Sequence, residues 1–320
     1  MIKLRLTLLV LAVATFALPS TALADWPERP VHFIVPFPAG GASDVATRLV
    51  SNYVSGTLGR RIVVENRSGA NGNIGIEYAA KSAPDGYTVL VMSQELCSNP
   101  HVYKTSVDPL KALMPVVQIS RQPILLAAHP SLGAGTLPEL AALAKQQPGL
   151  TFGTGSGIGS SQAMVALWYA RLAGVTLKQV PYRGGAPAIT DLIAGHVKLG
   201  SITFSSAAQQ IRAGHVIALA VTTEKRIPNF SDVPTFREMG QDLVAATWFG
   251  LSGPAHLPPD IASALNRETL RAMELPEVQK RLALDAIETR VMSPQEYTAF
   301  IEAEIARWAP LARSLAANAN

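Results

Sequence analysis

Apolar positions along the chain follow two alternating rhythms. Short runs of β-branched and aromatic residues, each closed by a turn residue, give way to stretches in which apolar side chains recur every three or four positions. Val31-His32-Phe33-Ile34-Val35-Pro36 predicts a buried strand stopped by proline. After Phe37-Pro38-Ala39-Gly40-Gly41 comes a helical pattern: Ser43 and Asp44 are capping types, Ala46, Leu49, Val50, Tyr53 and Val54 share a face, and Gly59 is the stop. Residues 62–65 predict a second strand, 74–81 a helix, Pro84-Asp85-Gly86 a turn and 87–93 a third strand. The rhythm restarts at Pro123, with a strand over 124–128, a helix over 136–147 opened by Thr136 with Pro138 in its first turn, and a strand over 150–152. Gly153-Thr154-Gly155-Ser156-Gly157-Ile158-Gly159 then leads into a helix from about Ser161, with Met164, Leu167, Trp168 and Leu172 on one face. Residues 179–182 and 216–221 read as strands, and Pro187 suits the start of a helix ending at Gly195. Ser293-Pro294-Gln295-Glu296 is a capping box, followed by a core-facing stripe of Tyr297, Phe300, Ile301, Ile305 and Trp308. Strands alternating with helices imply βαβ units and a mostly parallel sheet, and 320 residues suit two such α/β domains in succession. No repeat of 20 to 50 residues is evident, which argues against a solenoid.

The N-terminus departs from this pattern. Lys3 and Arg5 precede an apolar stretch over residues 6–18, and Ala22-Leu23-Ala24 forms a small-residue cleavage site, so residues 1–24 read as a secretory signal cleaved after Ala24. The apolar stretch is 13 residues, short of the roughly 20 that cross a bilayer, and no cysteine stands at position 25 to carry a lipid. Removing Lys3 and Arg5 from the 27 Lys and Arg leaves 25 against 23 Asp and Glu, a net +2 that argues against a nucleic-acid partner. Cys97 is the one cysteine, which excludes an internal disulfide and a two-cysteine metal site. It reads as a small buried hydrophobe. The six histidines are scattered singly, so no metal and no cofactor are expected.

Two glycine loops carry the candidate chemistry. At residues 40–41 and 155–159 a strand ends, glycines let the backbone expose consecutive N–H groups, and a helix begins with its unpaired amides and positive dipole end on the same spot. Such a junction binds an anion without a lysine, although either loop alone also reads as an ordinary tight βα turn. If the two face each other across a cleft, they could hold a small molecule with one or two carboxylates. Asp44 is then expected to cap its helix and orient loop amides or a water. Gly155-Ser156-Gly157-Ile158-Gly159-Ser160 fails the dinucleotide fingerprint at Ser160, and no Walker lysine is present. A serine-hydrolase elbow centred on Ser156 fails at Thr154, and one centred on Ser160 fails at Ile158. The chain is therefore read as a binding protein and not an enzyme.

Several ordered motifs carry a resemblance. Trp26-Pro27-Glu28-Arg29-Pro30-Val31, Val35-Pro36-Phe37-Pro38-Ala39-Gly40-Gly41-Ala42-Ser43-Asp44, Val64-Glu65-Asn66-Arg67-Ser68-Gly69-Ala70 and Ser82-Ala83-Pro84-Asp85-Gly86-Tyr87-Thr88 come first. Val180-Pro181-Tyr182-Arg183-Gly184-Gly185-Ala186-Pro187-Ala188, Leu219-Ala220-Val221-Thr222, Asp232-Val233-Pro234-Thr235 and Trp248-Phe249-Gly250 follow in order. Together they resemble the Bug-type, TctC-like solute-binding proteins of tripartite tricarboxylate transporters, over essentially the whole chain after residue 25.

The resemblance implies a two-domain α/β periplasmic binding protein, a type II-like Venus flytrap in which each domain is a mixed sheet flanked by helices and two crossover strands join them. It replaces the end-to-end division with residues 25–122 plus 247–320 as one domain and 123–246 as the other, the ligand cleft lying between. It also implies a periplasmic monomer that takes a small organic carboxylate and meets transporter membrane subunits, or else a sensor histidine kinase. Carried over by motif, the ligand-binding residues are Phe37, Ala39, Gly40, Gly41 and Asp44 on one side and Thr154, Ser156, Gly157 and Ser160 on the other, with Ser93 and Tyr182 as further walls. Two departures stand out: Gln162 where relatives commonly have histidine, and Ile202 near where they often have Asp or a small polar residue. Ile202 cannot pair a ligand ammonium, which favours an aliphatic or aromatic carboxylate over an amino acid.

Overall fold

The computed structural model describes residues 26–105, 107–157 and 159–317. The expected signal segment with its cleavage site at Ala24, and Ile158 of the second glycine loop, lie outside the described residues.

The chain opens with β1 (Val31–Val35), α1 (Ala42–Leu58), β2 (Ile62–Asn66), α2 (Asn73–Ala80), β3 (Thr88–Ser93), α3 (Glu95–Val102) and α4 (Pro109–Ala112). The middle holds β4 (Leu113–Ala128), α5 (Leu137–Gln146), β5 (Leu150–Thr154), α6 (Ser161–Ala173), β6 (Leu177–Pro181), α7 (Gly185–Ile193), β7 (Leu199–Thr203), α8 (Phe204–Arg212) and β8 (Ile217–Val221). It closes with β9 (Ala246–Pro254), α9 (Pro259–Met273), α10 (Pro276–Leu284) and α11 (Pro294–Ala317). The strands run in the order β2-β1-β3-β9-β4-β7-β5-β6, with β8 also on β4. β1 is parallel to β2 and β3, and β5 is parallel to β6 and β7, whereas β4 and β9 pair antiparallel. The sheet is therefore mixed, as the resemblance implied, and not mostly parallel as the alternation alone suggested.

β4 organises the molecule. Over residues 113–123 it pairs with β9, and over 124–128 it passes to β7 on one side and β8 on the other. Periodicity located only the second part, because Pro115 and Pro123 break the run. Each proline stands where a missing N–H is tolerated. The register steps between Pro115 and Val117, and Pro123 falls where the partner strand changes. Side chains of β4 alternate between faces: Ile124, Leu126 and Ala128 join a core with Phe152, Met164 and Tyr169, while Leu125 and Ala127 join one with Leu192, Ile202 and Phe204. On the other half of the sheet, Val31, Phe33 and Val35 pack with Val50 and Val54 of α1 and Leu265 of α9.

Helix α1 begins earlier than its capping types suggest. Gly41 is the N-cap and Asp44 lies in the first turn, while Gly59 ends the helix at φ 70° as expected. The capping box forms as read: the Ser293 N–H donates to Glu296 Oε2 at 2.8 Å and the Glu296 N–H to Ser293 Oγ at 3.2 Å. From there α11 crosses both halves of the sheet. Tyr297 packs edge-on against Trp248, and Trp308 meets Trp168 in the core of the other half. Both Trp248 and Trp308 donate their indole N–H to Glu304 Oε2 at 3.0 Å.

Candidate functional site

Strands β1, β3, β5, β6 and β7 each run into a helix, and the first turns of those helices line one pocket. Gly41, Ala42 and Ser43 open α1, Glu95 opens α3, Gln162 lies in the first turn of α6, Gly184 and Gly185 open α7, and Thr203 and Ser206 belong to the start of α8. Gly155 and Ser156 of the loop after β5 complete the wall, with Phe37, Thr247 and Phe249. The space between these residues is about 30 Å³, the share of one water. A ligand of several carbons therefore enters only if the walls part.

The electrostatics are those of backbone, not of side-chain cations. None of the lining residues is Lys, Arg or His. No side chain caps α1, α7 or α8, so their first-turn N–H groups, which lack intrahelical acceptors, are left to whatever occupies the pocket. Each helix end also brings a partial positive charge. Close packing of two loops makes this convergence possible. A Cβ on Gly155 would stand 2.8 Å from the Gly185 nitrogen, so only glycine lets these backbones meet, and Gly184, at φ 114°, takes a conformation other residues avoid.

The residues singled out from sequence fall into three positions. Phe37, Gly41 and Ser156 line the pocket. Asp44, Ser93, Thr154 and Ser160 are buried behind it and hold its walls. Asp44 accepts from the Gly40 N–H at 3.0 Å, from Arg48 Nε and from Asn66 Nδ2. Burial alone would raise its carboxyl, yet the Arg48, Gly40 and Asn66 bonds outweigh it and hold the group below the ordinary aspartate range. Thr154 Oγ1 donates to the Ser156 carbonyl at 2.7 Å and accepts from Gln179 Nε2, and Ser160 Oγ caps α6 through the Ala163 N–H. The Ser93 hydroxyl donates to the Glu95 carboxyl. The remaining four lie outside the lining: Ala39 and Gly40 are exposed, with the Gly40 N–H already given to Asp44, Gly157 gives its N–H to Asn71, and Tyr182 donates its hydroxyl to Asp191 Oδ2 at 2.7 Å. Burial, then Asp191, pushes the Tyr182 phenol up to about 12. Tyr182 and Gly157 instead border a cavity of about 620 Å³ on the outer side, where Lys104 and Arg183 also stand.

A hydrogen-bond cluster ties two loops together beside the pocket. Asn71, in the turn before α2, accepts through Oδ1 from Ser156 Oγ at 2.5 Å and from the Gly157 N–H at 3.0 Å. Asn99 of α3 steadies it, accepting from Asn71 Nδ2 at 2.7 Å and donating to the Asn71 carbonyl at 2.9 Å. The Ser98 hydroxyl donates to the Gly159 carbonyl beside it. A larger cavity of about 680 Å³ lies where the strands cross over, lined by Arg121, Thr222 and Glu288 among others, and among the described residues no α-helix start faces it.

Residues 46–316 match the family model described as the tripartite tricarboxylate transporter family receptor. The chain belongs to that family. Protein BugT of Bordetella pertussis is 33% identical over 313 residues, covering 95% of this chain and 95% of BugT. Among solved structures, a Rhodopseudomonas palustris protein with adipate superposes with a TM-score of 0.86 at 33% identity, over 91% of this chain and 98% of that one. MatC from the same organism, with bound malate, gives 0.85 at 29% identity, over 90% and 100%. The fold is that of the periplasmic binding proteins.

Reading for glycine missed part of the wall. Glu95, Thr203 and Ser206 stand at strand-to-helix junctions with no glycine, and Asn71, which bonds the loop beside them, is not among the residues singled out. Counting every strand-to-helix junction, whatever its composition, would have found the first three. Ile202 points into the core beside Leu125 and Phe204, and it is its neighbour Thr203 that meets the pocket. Gln162 is held by Nε2 donating to Thr203 Oγ1 at 3.0 Å.

Proposed function

We propose that this chain captures a small organic carboxylate in the periplasm and delivers it, chemically unchanged, to the membrane subunits of a tripartite tricarboxylate-type transporter. The observation that carries this reading is the convergence of the uncapped starts of α1, α7 and α8 on a buried pocket without a cationic side chain. Such a site satisfies a carboxylate by N–H donors and dipoles once water is excluded. Family relatives solved with malate and with adipate support the same ligand class.

In this reading residues 25–122 with 247–320 form one lobe and residues 123–246 the other, as a monomer released by cleavage after Ala24. The lobes part about the crossovers near residues 123 and 245, admit the ligand, and close on it, so that the closed form is selected by its bonds to the ligand. Phe37, Gly41 and Ser156 touch the ligand, while Asp44, Ser93, Thr154 and Ser160 position those that do.

The test is native mass spectrometry of freshly purified protein to identify a carried ligand, followed by a thermal-shift panel of mono-, di- and tricarboxylates. A carboxylate adduct and a raised melting temperature for at least one member are expected, and every compound should be recovered unchanged. A panel without any shift, or detected product, overturns the reading.

A further inference from the structure

Glu95 is the one ionisable side chain among the residues lining the pocket. It is 4% exposed, stands in the first turn of α3, and its carboxyl is bonded by the Ser93 hydroxyl and its own backbone N–H. Oε2 is left without a partner. No Lys, Arg or His forms an ion pair with Glu95 among the described residues. Two charges of α11 bear on this helix: Glu304, which together with Glu95 acts on Cys97, and Arg313, which acts on His101 farther along; neither is among the groups that act on the Glu95 carboxyl. The other titrating groups there give no counter-charge: burial pushes the Cys97 thiol and the Tyr297 phenol up, and burial with Arg313 holds His101 below its usual range.

An ionised carboxylate in this place would be buried and without a counter-charge. Burial accordingly drives the Glu95 carboxyl above the ordinary glutamate range, outweighing the two bonds that favour its charged form. A protonated carboxyl has the opposite need: it becomes an O–H donor that lacks an acceptor. A carboxylate ligand brings acceptors, and one carboxylate is already provided for by the amides of α1, α7 and α8.

We propose that Glu95 is a specificity-determining residue that keeps its proton in the pocket and donates from Oε2 to an oxygen of a second carboxylate on the ligand, selecting dicarboxylates over chain-matched ω-amino acids. The proposal rests on the carboxylate reading above. It also revises the expectation drawn from Ile202, since a carboxyl does reach the pocket, though from α3 and as a donor.

Isothermal titration at pH 7 with straight-chain dicarboxylates of three to seven carbons, and with the monocarboxylate and ω-amino acid matching the tightest of them, tests it in wild type, Glu95→Gln and Glu95→Leu. The glutamine amide still donates, so Glu95→Gln should hold the dicarboxylate within about threefold, while Glu95→Leu should weaken it by at least about tenfold and leave the monocarboxylate within about twofold. An equal loss in both variants, or a wild type that prefers the ω-amino acid and loses it on Glu95→Gln, overturns the proposal by making Glu95 an ionised acceptor or a purely structural group. If Glu95→Leu does not fold, the ratio of dicarboxylate to ω-amino acid affinity in wild type and Glu95→Gln decides the matter alone. Wild-type protein that binds no carboxylate sinks the parent reading and this one together, whereas failure of this one alone leaves wild-type binding intact.

Discussion

Replacing Asn71 with glycine removes the bonds that tie the turn before α2 to the loop after β5, together with the Asn71 Nδ2 bond to Asn99, which does not reach that loop. Asn71 sits at φ 54° and ψ 38°, a left-handed conformation that glycine adopts freely and alanine would enter at a cost of about 1–2 kcal/mol. Asn71→Gly therefore removes the side chain without adding backbone strain. Two bonds across the pocket are lost, from Ser156 Oγ at 2.5 Å and from the Gly157 N–H at 3.0 Å. At roughly 0.5–1.5 kcal/mol each they favour the closed arrangement by about 1–3 kcal/mol. Both donors border the cavity of about 620 Å³, so water takes the place of the lost acceptor in the closed form and no buried-donor penalty is added. If closure and binding are linked as proposed, the tightest carboxylate of the panel should bind about 5- to 150-fold more weakly to Asn71→Gly by isothermal titration. Small-angle scattering of the unliganded variant should show a larger radius of gyration than wild type. A dissociation constant within twofold of wild type, with unchanged scattering, would refute the assignment of Asn71 as the closing contact.

Other substitutions probe the walls and their supports. Gly41→Trp builds outward from a point 3.4 Å from the Pro38 carbonyl and should abolish every ligand-induced thermal shift while circular dichroism stays that of wild type; surviving binding would move the site elsewhere. Gly155→Ala forces a methyl to 2.8 Å from the Gly185 nitrogen, and urea unfolding should show a loss of about 1–3 kcal/mol. For Asp44 the folded carboxyl titrates below its unfolded value, so its stabilisation is complete above the ordinary aspartate range and lost as pH falls through the folded value. Melting temperatures between pH 2 and 5 should therefore fall less steeply in Asp44→Asn than in wild type, and parallel curves would remove Asp44 from the acid limb.

How much of this could be read from the chain depends on how far each signal reaches. Helix α1 and its stop at Gly59, the capping box at Ser293 and Glu296, and the strand at residues 31–35 rest on neighbours within a few positions, and all three stand in the structure. β4 defeated the same reasoning over residues 113–123. Its two prolines break a local pattern that β9, more than 120 residues away, tolerates through a register step and a change of partner. The glycine junctions at residues 40–41 and 153–159 declare themselves because close backbone approach needs glycine. Glu95 and Thr203 reach the same pocket through ordinary junctions, and no local feature separates them from any other strand-to-helix turn.

By itself the sequence determined the α/β class, through its alternating periods, and the family, through motifs spread over its length. It also lacked any basic cluster, so that the carboxylate of the proposed function falls to backbone amides. The tertiary structure alone decided which helix starts share a pocket, because β6 and β7 reach the wall only through their order in the sheet. It decided as well that the lone acid of that pocket stands unpaired beside them, for burial and the absence of a counter-charge are properties of packing that no local stretch of sequence contains.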